Sequence, residues 1–145
     1  MNKLLAGSIA IAMFLIAGCG ARGPKLASSA EDIAGTTWFS NFGGPLYFQF
    51  FEDGTMRASS NRELVEDHPG GITKFWFEGT QLFFESTHQG SCDEDAPDAV
   101  GIYEVHLLEN GNLRFVASED ECAIRATRFQ GLVDGEITSE WEPVP

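Results

Sequence analysis

Three cysteines, three histidines and 22 carboxylates are the side chains of this 145-residue chain best suited to chemistry. The cysteines are Cys19, Cys92 and Cys122, an odd number, and none lies in a C-x-x-C pair. The histidines His68, His88 and His106 are scattered, so the spacing predicts no metal site. The densest carboxylate group is "SCDEDAPD" over 91–98, with Asp93, Glu94, Asp95 and Asp98. Calcium prefers such oxygens, but the loop lacks the central Gly and the final Glu of an EF-hand, and it reads as a solvated acidic loop. The chain holds no G-x-S-x-G, H-E-x-x-H or phosphate-loop motif. Asp67-His68 precedes Pro69 in a Gly-rich stretch and reads as a turn. Glu104 and His106 share a strand face that alternation turns outward. The expectation is a protein that is not an enzyme, with no catalytic residues and no cofactor.

One cysteine does have an assignable chemistry. Lys3 supplies a positive n-region, and Leu4 to Ile16 is an apolar run of signal-peptide length, too short for a convincing membrane anchor. It ends in "LIAGC", where the small pair Ala17-Gly18 meets Cys19 directly. This resembles the lipobox of bacterial lipoproteins. The resemblance implies that Cys19 takes a diacylglycerol and becomes the first residue after cleavage. Several acyl chains hold a protein on a bilayer firmly, because each buried methylene contributes about 0.8 kcal/mol. Residues 1–18 are then a lipoprotein signal peptide. Residues 19–30, small and polar without periodicity, are a lipid-anchored tether. Residues 31–145 are the folded domain, a length that supports one hydrophobic core. The expected location is extracytoplasmic, with the membrane as a partner through the lipidated cysteine.

Removing the signal leaves eight Lys+Arg against 22 acids, a net charge of −14. Such a surface repels nucleic acid, and it suits solubility outside the cell or attraction to cationic partners. Outside the cell disulfides persist, so Cys92 and Cys122 form the expected pair. Closing that loop stabilises by roughly 3–4 kcal/mol in the chain-entropy model. Two buried free thiols are the alternative.

The elements are mostly strands. In "PLYFQFFEDGTMRASS" Leu46, Phe48 and Phe50 alternate with Tyr47, Gln49 and Phe51, and Asp53-Gly54 signals a hairpin. "ITKFWFEGTQLFFES" repeats the scheme, with Phe75 and Phe77 on one face and Leu82 and Phe84 on another strand. "GIYEVHLLENGNLRFVAS" repeats it again: Tyr103, Val105 and Leu107 face one way, and Leu113, Phe115 and Ala117 follow the Asn110-Gly111 turn. Further strands are expected near "TTWFSNF" and "TSEWEP". About eight short antiparallel strands leave exposed edges unless the sheet closes, which predicts an up-and-down β-barrel, with a β-sandwich as the alternative. One helix interrupts the pattern. Ser118 to Glu121 matches a capping box, Cys122, Ala126 and Phe129 share a face, Arg125 and Arg128 fall toward the far end, and Gly131 ends it.

The segments "IAGTTW", "FEDGT", "YEVHLLENGNLRF" and "EDECAIR", in this order, resemble the lipocalin-like (calycin) group, in particular small exported domains of bacteria. The hallmark Gly-x-Trp is one residue longer here, Gly35-Thr36-Thr37-Trp38. The resemblance covers residues 33–142. It implies a barrel open at one end that holds a small apolar ligand. Strand alternation gives Trp38, Phe48, Phe50, Phe75, Phe77, Phe84, Tyr103, Val105 and Phe115 as the residues that line the interior. An eight-stranded interior either holds one small ligand or is filled by its own side chains. Two readings follow: a membrane-anchored lipoprotein that binds a small hydrophobic ligand, and a filled-core envelope module that recognises a protein.

Overall fold

The computed structural model describes residues 23–85 and 99–145. Among them the chain forms β1 (Lys25–Leu26), β2 (Thr37–Ser40), β3 (Leu46–Phe50), β4 (Thr55–Ser59), β5 (Gly71–Glu78), β6 (Gln81–Glu85), β7 (Val100–Leu107), β8 (Leu113–Glu119), α1 (Ala123–Gln130), β9 (Leu132–Val133), β10 (Glu136–Ile137) and β11 (Glu142–Val144). Two short 3₁₀ turns lie at Ala30–Asp32 and Arg62–Leu64.

Each strand from β2 to β8 pairs antiparallel with the next, and β11 lies beside β2. The three expected hairpins are β3–β4, β5–β6 and β7–β8. At the first turn the Asp53 carboxylate accepts the Thr55 N–H at 2.9 Å, while Gly54 takes φ 81°, a conformation that glycine adopts freely. The curled sheet meets itself at one bridge. Leu113 and Trp141 exchange backbone hydrogen bonds of 2.9 and 2.8 Å, which joins β8 to the residue that leads into β11. The up-and-down, barrel-like all-β architecture is thus as the sequence predicts. Beside that seam, Glu140 accepts from Asn110, Asn112 and Arg114. The Asn112 and Asn110 amides, with Arg114, hold its carboxyl below the usual range, outweighing the opposing effect of burial.

Within the stretch expected to be tether, Lys25 and Leu26 pair with Leu107 and His106 of β7. Ala27 follows and is fully buried. All the described buried residues lie at or after Ala27, so a chain that starts at Gly20 keeps the whole described core.

The interior is aromatic because inward positions recur every second residue along each strand. Phe50, Phe84, Tyr103, Val105 and Phe115 have no exposed surface. Two residues from outside the main hairpins enter among them. Trp141 stacks on Phe48 with ring centres 4.1 Å apart and lies 4.3 Å from Phe115. Phe129 of α1 approaches Phe84 at 4.9 Å, Trp141 at 5.1 Å and Tyr103 at 5.5 Å. Ring pairs of this kind contribute about 0.5–1.5 kcal/mol each beyond their area burial.

The helix begins later than the capping-box pattern predicts. Ser118 and Glu119 belong to β8, where Glu119 pairs with Ile102 across a register shift. Cys122 is the N-cap, and it makes no side-chain cap. The Asp120 carboxylate instead accepts the Cys122 N–H at 2.8 Å. Strand pairing therefore overrides the local cap signal. Gly131 ends the helix as expected, with φ 59° and its N–H donating to the Thr127 carbonyl at 2.8 Å. The Gln130 side chain accepts the Ala117 N–H at 2.9 Å and ties α1 to β8.

Candidate ligand groove and the buried charge cluster

Arg125 lies one turn before Phe129, so both project from the same helix face. The sequence pattern sends Arg125 toward the helix end. The structure buries it at 6% side-chain exposure, facing Asp120 at 1%. Arg125 Nε donates to Asp120 Oδ2 at 2.8 Å, and Nη2 donates to Oδ1 at 2.7 Å. Nη2 also donates to the Ala99 carbonyl at 2.8 Å. The Tyr103 hydroxyl donates to Asp120 Oδ2. With the Cys122 N–H, Asp120 accepts four hydrogen bonds, two on each oxygen.

The electrostatics follow from burial and this carboxylate. Burial, then the hydrogen bond and charge of Asp120, push the Tyr103 phenol up from its ordinary value. Burial opposes the Arg125 charge, but its hydrogen bond to Asp120 and that carboxylate's charge outweigh it, and the net shift is upward. Gly101 leaves room for the cluster, since a Cβ there would sit 2.6 Å from Asp120 Oδ2 and 2.9 Å from Arg125 Nε. The cluster is a clamp that joins α1 to β7.

Beside this clamp a half-open groove of about 420 Å³ runs between α1 and the β3–β4 hairpin. Its apolar wall is Leu46, Phe48, Met56, Ala58, Ile124 and Phe129. Ser59, Ser60 and Thr73 add hydroxyls, and Arg125 and Arg128 add positive charge. The volume lies within the roughly 300–1,000 Å³ of small-molecule sites. Ile124 is 40% exposed, which is high for a large apolar side chain.

The residues expected to line the interior do lie on the inner face. Trp38, Phe48, Phe50, Phe75, Phe84, Tyr103, Val105 and Phe115 are buried, and Phe77 packs half-buried against them. They are brought together as one cluster, packed against each other and against Phe129 and Trp141. Of the nine, Phe48 alone also lines the groove. Cys19, Cys92 and the acidic loop 91–98 lie outside the described residues. Cys122 is fully buried. Glu104 and His106 sit together on the outer face, 3.3 Å apart. His68 is exposed, its N–H donating to the Leu64 carbonyl in a turn. Among the described residues no group of three or more His, Cys, Asp or Glu could hold a metal ion.

Sequence reasoning missed the clamp and the groove. The available signal was an arginine at i−4 from the helix's buried Phe129, on the apolar stripe. Compared with models of known protein families, with curated proteins and with solved structures, the chain gives no match.

Proposed function

We propose that the protein is a membrane-anchored extracytoplasmic lipoprotein that binds a small hydrophobic molecule, seated in the groove beside α1. The groove itself is the observation that carries this reading: an apolar wall, half-open, of about 420 Å³. The interior is the poorer seat, because Phe129 and Trp141 bring their rings to between 4.1 and 6.0 Å of Phe48, Phe84, Phe115 and Tyr103. The reading is non-enzymatic. Anchoring rests on Lys3, the apolar run and "LIAGC", with Cys19 carrying the lipid. A Cys92–Cys122 disulfide belongs to the same reading, since it would hold the acidic loop against the start of α1 and suits an oxidising compartment.

The test is a titration of the chain from Gly20 onward with a fluorescent fatty acid. Saturable micromolar binding is expected. Replacement of the exposed Ile124 by Asp is expected to abolish it while circular dichroism is unchanged. Equal binding by the variant would refute the groove. A second reading is favoured by the ring packing: a filled-core envelope module that recognises a protein through its acidic surface. A folded chain that binds no apolar probe would support it.

A further inference from the structure

The groove differs in charge from the rest of the chain. The sequence carries 22 Asp+Glu against 9 Lys+Arg. Yet among the described residues the groove is lined by two arginines and no carboxylate. A neighbouring concavity of about 350 Å³, formed with Phe42, Ala123 and Thr127, shares Ile124 and Arg128 with it and, among the described residues, also lacks a carboxylate. Arg128 is exposed and stands between the two. Arg125 adds an independent observation. It is 6% exposed and lines the groove, and its Nη1 has no hydrogen-bond partner among the described residues. A buried donor without a partner is costly, so an acceptor brought to it recovers free energy.

We propose that this groove, on the reading given above, selects a single-chain amphiphile with an anionic head, a fatty carboxylate being the simplest. The head pairs with Arg128, with the Arg125 guanidinium beneath and the Ser59 and Thr73 hydroxyls alongside. The tail lies along Phe48, Met56 and Phe129. An arginine fork matches a carboxylate with two parallel hydrogen bonds. A cationic head would meet the exposed Arg128 charge, with no carboxylate among the described lining residues to offset it. A neutral head would leave Arg128 hydrated and gain only the apolar contact.

The experiment compares three ten-carbon probes by calorimetric titration of the chain from Gly20 onward: decanoate, decan-1-ol and decyltrimethylammonium. Decanoate is expected to bind at least tenfold more tightly than decan-1-ol, with decyltrimethylammonium the weakest. Arg128→Gln is expected to bring decanoate down to the level of decan-1-ol and to leave decan-1-ol within twofold. Arg128→Glu is expected to invert the order of the two charged probes. Equal affinity for all three probes would overturn the head-group assignment while leaving the groove intact. No binding of any probe by the folded chain would overturn the groove as well.

Discussion

The clamp of Tyr103, Asp120 and Arg125 holds α1, and α1 forms one wall of the groove, so Asp120→Ala is the most informative perturbation of the fold. It removes a carboxylate 1% exposed that accepts from Arg125 twice, from Tyr103 and from the Cys122 N–H. The guanidinium is left 94% buried with its counter-charge gone. Breaking one side of a buried pair costs about 3–5 kcal/mol. Against a domain stability of about 5–15 kcal/mol, that is a large fraction. With a urea slope near 2 kcal/mol/M, the midpoint should fall by about 1.5–2.5 M. The assay is urea unfolding followed by tryptophan fluorescence. The double variant Asp120→Ala/Arg125→Met removes both charges, and it should be more stable than Asp120→Ala alone. A midpoint shift below about 0.5 M for Asp120→Ala would refute the clamp. Strict additivity of the two substitutions would refute it equally.

Two further outcomes bear on the same cluster. Gly101→Ala places a Cβ 2.6 Å from Asp120 Oδ2 and 2.8 Å from Tyr103 Cε2, and such overpacking should cost about 1–3 kcal/mol in the same urea assay. Tyr103 has its phenol pKa raised in the folded state, so its contribution to stability is whole below the unfolded value near 10 and declines as pH rises from there. In a Tyr47→Phe variant, where Tyr103 is the sole tyrosine, ultraviolet absorbance should show no phenolate until the protein unfolds.

The strands were legible because each buries one face. The alternation through Phe48 and Phe50, through Leu82 and Phe84, and through Tyr103 and Val105 placed every expected interior residue on the inner side. Asp53-Gly54 and Asn110-Gly111 marked turns because glycine there takes positive φ. The start of α1 was not legible. The Ser118–Glu121 pattern is a local signal, and the pairing of β7 with β8 overrides it. Whether the interior would hold space was also beyond local patterning. That depends on Phe129 and Trp141, which reach the core from a helix and from the bridge that leads into β11. The groove joins Phe48 and Met56 of one hairpin to Ile124, far away in sequence, an adjacency that only the tertiary fold creates.

The seat of the ligand can be read by amide chemical-shift mapping. The chain from Gly20 onward, isotopically labelled, would be titrated with decanoate. The largest shifts are expected at Ala58, Gly71, Ile124 and Arg128, which line the groove. Shifts centred on Val105 and Phe115, deep in the interior, would refute the groove and place the ligand inside the barrel.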